Sequence, residues 1–191
     1  MSEAKPAQVR FTTIQNDDDI RQVLALQRAN LSSQVSLEVA ASQGFVTVQH
    51  DFELLKKMNE ATPQVIAKLG EEVVGYALVM LPSFQDLIPV LNPMFLLFDD
   101  IELLGKKIAS YRYYVMGQIC VAENHRGAGI FDGMYAHHRA LFREEFDFVI
   151  TEIASRNARS IRAHQRIGFE TIHRFEDVTD HWEVVVWDWK R

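Results

Sequence analysis

A short stretch in the second half of the chain combines glycines with a strand-forming run before it and a helix-forming run after it. Arg126 to Gly129 reads Arg-Gly-Ala-Gly, between an apolar run, Tyr113 to Val121, and the run from Met134 to Phe142. A helix N-terminus carries unpaired N–H groups and a partial positive charge, which attract phosphate. Glycine lets the backbone adopt unusual dihedral angles and lets a ligand approach closely. The stretch is therefore either a phosphate-binding loop or an ordinary strand-to-helix turn.

A second motif lies closer to the C-terminus, where residues 157 to 169 read Asn-x-x-Ser-x-x-x-His-x-x-x-Gly-Phe. Its first three polar members share one face of a helix. Together with Arg126-x-x-Gly129, it resembles the two signature blocks of the GNAT acetyltransferases, Gln/Arg-x-x-Gly-x-Gly/Ala and Asn-x-x-Ala/Ser-x-x-x-Tyr-x-x-x-Gly-Phe. The order agrees, and the gap leaves room for one helix and one strand. Two blocks in register are far more specific than either alone.

The chain departs from the family pattern at two positions. Phe131 stands where the first block usually has Gly or Ala, which affects the shape of the pyrophosphate loop. His164 stands where the second block usually has Tyr, which affects the identity of the catalytic acid. A tyrosine keeps its proton at neutral pH, with an unperturbed pKa of about 10, whereas histidine titrates near about 6.5.

The resemblance implies an α/β (α+β) architecture, the GNAT fold, in which a mixed, twisted central sheet is flanked by helices. Two splayed parallel strands in that fold hold acetyl-CoA. Within the run from Arg112 to Ala122, Gly117 stands where glycine marks a bulge or a close backbone approach. The resemblance implies the bulge, which would splay the strands into a V for the pantetheine arm of acetyl-CoA.

Hydrophobic periodicity and turn residues predict the elements around this V. We expect strands at residues 9–13, 64–69, 73–81, 112–122, 146–154, 170–178 and 181–189, and helices beginning near Asn16, Asp51, Gly127 and Asn157. Residues 1–191 are expected to form a single domain, with residues 1–7 as a disordered lead. Residues 82–110 are an apolar insertion whose second half, Asp99 to Ser110, can be helical. The insertion packs on the core, forms a contact in a homodimer, or covers the acceptor pocket as a lid.

The resemblance also implies the cofactor contacts. Backbone groups of Ile119, Cys120 and Val121 would bind the pantetheine amides as an added strand. N–H groups of the loop would cradle the pyrophosphate, and these belong to Gly127, Ala128, Gly129, Ile130, Phe131 and Asp132. Arg126 either assists there or is a solvated arginine. Asn157 and Ser160 would contact the cofactor arm, although Asn157 is also a good N-cap.

Two side chains are candidates for the proton transfers that amine acetylation requires. Glu152 interrupts an uncharged run. A resemblance to acetyltransferases of ribosomal-protein N-termini implies that it accepts the amine proton; alternatively it pairs with a nearby arginine. His164, in the family's tyrosine position, would protonate the leaving thiolate, either as imidazolium or as a neutral N–H donor; alternatively it is structural. Cys120 has no histidine or acid partner at fixed spacing, so we interpret it as packed rather than nucleophilic.

The composition limits which kinds of partner and which location are expected. A net charge of −6 without a basic run argues against broad nucleic-acid binding. The single cysteine excludes an intramolecular disulfide and suits a reducing cytosol, so a cytoplasmic location is expected. The longest apolar stretch, Leu87 to Phe98, is too short for a membrane span and is broken by prolines. No cluster of metal-ligating residues is visible, so no metal is expected.

These observations predict an acyltransferase that moves the acetyl group of acetyl-CoA directly to a primary amine of a small molecule or peptide. A second hypothesis is an acyl-CoA-binding regulator without turnover, which the departures at Phe131 and His164 leave open. A third is transfer of a longer acyl group. Small amine, peptide N-terminus, lysine and amino acid all stay open as acceptors.

Overall fold

The computed structural model describes residues 8–31 and 48–190, so the predicted lead at residues 1–7 lies outside the described part. The strands are β1 (Val9–Thr13), β2 (Val65–Leu69), β3 (Glu72–Met80), β4 (Glu102–Leu103), β5 (Lys106–Lys107), β6 (Tyr113–Val121), β7 (Phe148–Ala154), β8 (Glu170–Glu176) and β9 (His181–Asp188). The α-helices are α1 (Asp17–Ala29), α2 (Phe52–Ala61), α3 (Asn92–Asp100), α4 (Ile130–Phe142) and α5 (Ala158–Ile167). In these ranges no helix has the length and apolar character that crossing a membrane requires.

Two helix starts are capped as the sequence predicted. The side chain of Asn16 accepts a hydrogen bond from the backbone N–H of Asp19 at 3.0 Å. Asp51 does the same for the N–H of Leu54 at 2.8 Å. Each bond satisfies an N–H group that has no partner inside the helix. The predicted starts of α1 and α2 are therefore confirmed.

Seven strands form one sheet in the order β1-β2-β3-β6-β7-β9-β8, and β4 and β5 form a separate hairpin. β6 and β7 run parallel, while every other neighbouring pair of the seven is antiparallel. This mixed sheet, with helices on both faces, confirms the predicted architecture. The parallel pair lies in the interior of the sheet, which places the predicted V at its centre.

β6 and β7 pair over a short distance only. Tyr113 to Val115 lie opposite Phe148 to Ile150, and the ladder ends there. One residue further on, the hydroxyl of Thr151 donates to the carbonyl of Met116 at 2.9 Å. Beyond this bond the two strands separate and leave the predicted V between them.

A bulge in β6 lies at the point where the strands separate. On the neighbouring strand, Leu78 faces Gln118 whereas the next residue, Val79, faces Met116. Gly117 is therefore the extra residue of β6, and the predicted bulge is confirmed. A bulge bends its strand and increases the local twist. The bend directs the second half of β6 away from β7.

Helices hold both limbs of the V from both faces of the sheet. α1, α2 and α3 cover one face, with Ile20, Val23, Leu24, Leu55, Met58, Met94, Phe95 and Phe98 in its core. α4 and α5 lie on the other face, where the buried core includes Ile130, Met134, Tyr135 and Phe142. Each core lies on its own face and includes residues of both β6 and β7, so packing on both faces holds the two strands in their splayed positions.

The insertion at residues 82–110 differs from its prediction. Its α-helix is α3, which includes Asp99 and Asp100, and a 3-10 turn follows at Ile108–Ser110. The helical prediction for Asp99 to Ser110 is wrong over residues 101–107, where β4 and β5 form a hairpin. Pro93 lies in the first turn of α3, where a missing N–H costs nothing. Gly105, with φ of 76°, lies in the turn between β4 and β5. Met94, Phe95 and Phe98 of α3 belong to the core, and the dimer contact and the lid stay predictions.

Gly133 of α4 allows β1 to pack closely against the helix. A Cβ atom at this position would lie 2.0 Å from Cζ of Phe11. Gly133→Ala is therefore expected to lower the free energy of unfolding by about 1–3 kcal/mol, because the ring must move. In a Phe11→Ala background the same change should be neutral or stabilising, since alanine is the better helix former by about 1 kcal/mol. Urea denaturation of the four proteins measures both effects, and equal losses in the two backgrounds would contradict the explanation.

Candidate active site

The loop between β6 and α4 has the geometry of an anion site. Gly127 and Gly129 have φ of 81° and 75°, in the left-handed region that glycine adopts without steric cost. Because of these two residues α4 begins at Ile130 rather than at the predicted Gly127. Gly129 is the N-cap and has no side chain that could bond the first N–H groups of the helix. Those groups are therefore available to a bound anion.

Arg126 is held against the protein at the entrance of this loop. Its Nε donates to the carbonyl of Val121 at 3.1 Å, and its Nη2 donates to Oδ1 of Asn30 at 2.7 Å. The guanidinium thus connects the end of β6 to the C-terminal end of α1. This differs from the solvated arginine that was one sequence interpretation. A contact of Arg126 with pyrophosphate stays a prediction.

A cavity of about 510 Å³ opens beside the loop, among β6, α4 and α5. This volume is within the range of about 300–1,000 Å³ that is typical of small-molecule sites. The cavity brings together the predicted cofactor residues Ile119, Cys120, Val121, Arg126, Gly127, Gly129, Ile130, Phe131, Asp132, Asn157 and Ser160. Ala128 is the one predicted residue that does not line it.

The cavity also has basic walls that the sequence analysis missed. Arg159, Arg162 and Arg166 of α5 line it, and so does His125. Spacing of three and four residues places the arginines on one face of the helix, and this spacing is the signal that could have found them. Arg166 pairs with Asp132, so one positive charge is balanced locally. In a chain of net charge −6, this face favours an anionic ligand.

A smaller cleft of about 120 Å³ lies between the splayed strands. Its walls are residues 116–119 of β6, residues 151–154 of β7 and Trp182 of β9. Asn157, the N-cap of α5, lines it together with Ser160 and His164 of the helix. Asn157 and Ser160 line both the cavity and the cleft, so the two spaces adjoin at the start of α5. The structure thus brings Glu152 and His164 into one cleft. Residues 8–31 and 48–190 contain no group of three or more potential metal ligands.

Glu152 has the environment of a carboxyl group that resists ionisation. Burial, with a smaller contribution from the charge of Asp177, raises the pKa of Glu152 to about 8. Its Oε1 is buried and has no hydrogen-bond partner within the described ranges. The nearby Arg156 pairs with Asp180 instead. A proton acceptor with a pKa near neutrality is suited to general base catalysis.

His164 lies behind Ser160 and is 2% exposed. Its Nδ1 is 2.8 Å from the carbonyl oxygen of Ser160, and its Nε2 is 2.8 Å from the hydroxyl of Tyr135. A ring nitrogen that faces a carbonyl must carry the proton, so Nδ1 donates and Nε2 accepts from Tyr135. Burial lowers the pKa of His164 to about 4, which keeps the ring neutral at pH 7. The imidazolium form of the predicted acid is therefore disfavoured, and donation from the neutral ring stays a prediction.

Two further side chains of β6 have packing roles. Burial raises the pKa of Cys120 to about 11, so its thiol is a poor nucleophile. Gln118 accepts hydrogen bonds from Gln27 at 2.7 Å and from Tyr76 at 2.8 Å, and it donates to the carbonyl of Val48 at 2.7 Å. These bonds connect the bulged part of β6 to α1 and to the chain before α2.

Comparison with known proteins agrees with this architecture. The family model described as acetyltransferase (GNAT) family matches residues 31–169. A search of curated protein sequences gives no match. Among the solved structures that share the fold is yncA of Salmonella typhimurium, a putative acetyltransferase with its cofactor acetyl-CoA. It has a TM-score of 0.63 and 14% identity, over 95% of this chain and 94% of that chain.

Two other structures carry names that specify an acceptor. The ribosomal-protein-S18-alanine N-acetyltransferase of Escherichia coli has a TM-score of 0.58 and 8% identity, over 94% of this chain and 91% of that chain. A spermidine N-acetyltransferase chimera from Vibrio cholerae and hSSAT has a TM-score of 0.57 and 12% identity, over 96% of each chain. At these identities the likeness concerns the fold.

Proposed function

As a member of the acetyltransferase (GNAT) family, the chain is an acyltransferase that uses acetyl-CoA, and we propose that it transfers the acetyl group directly to a primary amine. The observation that carries this proposal is the junction of two spaces at the start of α5. A cavity with basic walls adjoins a cleft that contains a half-buried carboxyl group of raised pKa. Such a junction suits an acyl donor on one side and a proton acceptor on the other.

We place the pyrophosphate of acetyl-CoA on the N–H groups that follow Gly129, and the pantetheine arm along the second half of β6. The unpaired backbone there would bind the amides of the arm, as in strand addition. The arm would end at the bulge at Gly117, which lines the cleft. The carbonyl carbon of the thioester would then lie between the two limbs of the V.

Glu152 approaches the cleft from the face of the sheet that packs against α1. β7 pairs with β9 without a register shift, so Glu152 and Ile150 share a face. Ile150 belongs to the core beneath α1, α2 and α3, whereas Ile130 of the cofactor cavity belongs to the opposite core. The acceptor amine would therefore enter from the α1 face and give its proton to Glu152. Asn157, Ser160 and His164, at the start and along one face of α5, would lie nearest the leaving sulfur.

A primary amine is the acceptor class that the structural relatives support. One relative is named for the alanine of a ribosomal protein and another for spermidine, so a peptide and a small polyamine are both represented. We propose the same range, small molecule or peptide, for this chain. We also propose that the enzyme acts in the cytoplasm as one domain of residues 1–191. A homodimer contact through the insertion stays a hypothesis, which sedimentation analysis would test.

The experiment that tests the function is a panel of amines incubated with acetyl-CoA, with release of free thiol as the measurement. The panel would contain spermidine, free amino acids, lysine-containing peptides and peptides that begin with alanine. Acetylated product identified by mass, in proportion to thiol, would support the proposal. Calorimetric binding of CoA without thiol release from any member would indicate a regulator that binds the cofactor without turnover.

Gly129→Val should weaken CoA binding by about tenfold to hundredfold. A side chain at this position would keep the pyrophosphate from the N–H groups, and losing one hydrogen bond to a charged group costs about 1.5–3 kcal/mol. Gly70→Val is the matched control, because Gly70 also has a positive φ, of 61°, with open space around its Cβ position, but lies in the β2–β3 turn. Calorimetry with CoA checks the prediction. Equal affinity of the two folded variants would remove the pyrophosphate from this loop.

A further inference from the structure

Resting on the transfer reaction proposed above, we infer that Ser160 is the residue that touches the leaving sulfur, while His164 and Tyr135 position its hydroxyl. The family resemblance pointed to the residue in the tyrosine position, His164, for this contact. In the structure His164 lines the cleft only and does not reach the cavity. Ser160 lies at that junction and lines both spaces.

The two nitrogens of His164 are both occupied by fixed groups. The Ser160 carbonyl, 2.8 Å away, accepts the proton of Nδ1, and the Tyr135 hydroxyl, 2.8 Å away, donates to Nε2. Tyr135 is fully buried, as are most of the surroundings of His164, and the rings of Phe131, Tyr135 and Phe169 pack against the imidazole edge to face. The imidazole is therefore held in one tautomer and one orientation, and it has no remaining N–H group for a ligand.

This arrangement determines where the Ser160 proton points. The Ser160 oxygen is 3.3 Å from Nδ1 of His164, which already carries a proton. The hydroxyl can therefore only accept on that side, and its own proton must be directed elsewhere. In the described part of the chain no acceptor receives this proton. The backbone N–H of Ser160 donates to Oδ1 of Asn157 at 3.2 Å. The free direction of the hydroxyl is toward the junction of cavity and cleft.

The chemistry of the step is then balanced as follows. The amine nitrogen forms a bond to the acetyl carbon, and the C–S bond breaks with its electron pair on sulfur. The amine proton passes to the carboxylate of Glu152. The thiolate accepts a hydrogen bond from Ser160, which keeps its proton, and the thiolate is protonated by water after release. A hydrogen bond to a developing anion is the kind of interaction that stabilises a transition state more than a ground state.

Ser160→Ala should lower the single-turnover rate of acetyl transfer by about tenfold to a hundredfold, the usual effect of one hydrogen bond to a charged group, and should lower the affinity for CoA by a smaller factor. Ser155→Ala is the matched control, because Ser155 lies between β7 and α5, five residues before Ser160, but lines neither the cavity nor the cleft. With acetyl-seleno-CoA, whose leaving group is a weaker base, the loss in Ser160→Ala should be smaller than with acetyl-CoA. A uniform loss with both donors would indicate a structural role and would overturn the inference.

The variants of the positioning pair separate this inference from the family expectation. His164→Phe and Tyr135→Phe should each lower the rate less than Ser160→Ala does, and adding either change to Ser160→Ala should have little further effect. The reverse ranking, with His164→Phe losing about 10²–10⁴-fold as for a general acid and Ser160→Ala near normal, would overturn it. Both rankings are measured relative to the rate of the wild-type protein. Turnover by the wild type would therefore support the proposed function even if this inference fails.

Discussion

Glu152→Gln should lower kcat by about 10²–10⁴-fold, the range expected when a general base is removed. An amine that attacks a thioester must lose a proton, and the amide of glutamine cannot accept one. Glutamine preserves the volume and leaves the cofactor cavity untouched, so acetyl-CoA binding should stay the same. The loss should therefore appear in kcat, measured by thiol release at saturating amine, and not in the calorimetric affinity for CoA.

The pH dependence of the same variant tests the assignment further. The pKa of Glu152 is raised to about 8, so its carboxylate form becomes abundant only above that pH. The ratio of wild-type to variant kcat/KM should therefore grow from pH 6 to about pH 9 and then level, because kcat/KM reports the free enzyme. Glu176→Gln, an exposed change in the edge strand β8, is the control. A pH-independent ratio near one would remove Glu152 from the chemistry.

Acid should unfold the protein steeply below pH 6. His50, His138 and His164 are buried, and burial lowers their pKa values to about 4, about 3 and about 4. In the unfolded chain each titrates near about 6.5, so unfolding at pH 5 takes up about one proton per residue. Because the unfolded state binds more protons, this contribution to stability is complete above pH 6.5. It is lost as the pH falls toward 4.

Glu152 acts in the opposite direction and sets the size of the effect. Its raised pKa means that the folded state holds a proton that the unfolded state releases between about pH 4.5 and about pH 8. Near pH 5, unfolding therefore takes up about three protons at the histidines and releases about one at Glu152. The free energy of unfolding should then fall by about 2.7 kcal/mol for each unit by which the pH is lowered. Urea denaturation at pH 5.5, 5.0 and 4.5 measures this slope.

One buried histidine and one exposed histidine provide the comparison for this slope. His138→Gln should lower it by about one proton, about 1.4 kcal/mol per pH unit, whatever its effect on absolute stability. The exposed change His181→Gln should leave the slope unchanged. A slope that does not differ between the two variants would show that the buried histidines do not govern acid unfolding.

Local signals in the sequence predicted much of the fold. The caps Asn16 and Asp51 and the bulge at Gly117 depend on neighbours a few residues away, and each is found where predicted. The hairpin β4–β5 was missed because apolar periodicity over a short run favours a helix and a strand about equally. In that segment the turn at Gly105 decided the outcome.

The site was predicted in its membership and not in its internal contacts. The two motifs located the loop, Asn157, Ser160 and His164 because these residues lie at fixed spacing on one turn and one helix. The contact of Arg126 with Asn30 spans 96 residues, and that of Tyr135 with His164 spans 29. Such contacts depend on how α1 and α4 pack, which no local pattern encodes. The raised pKa of Glu152 likewise depends on burial that only the assembled sheet provides.

The early end of the β6–β7 ladder has a consequence for which molecules this sheet can accept. A sheet of seven strands has two edges, at β1 and β8, and the splay adds two more inside the molecule. Exposed edges invite other polypeptide strands, which is a hazard for aggregation. The inner edges differ because α5 and the walls of the cleft flank them, and a polypeptide strand would need room for side chains on both faces. A thin, unbranched chain that carries amide groups fits there, so the V selects its occupant by thickness as well as by charge.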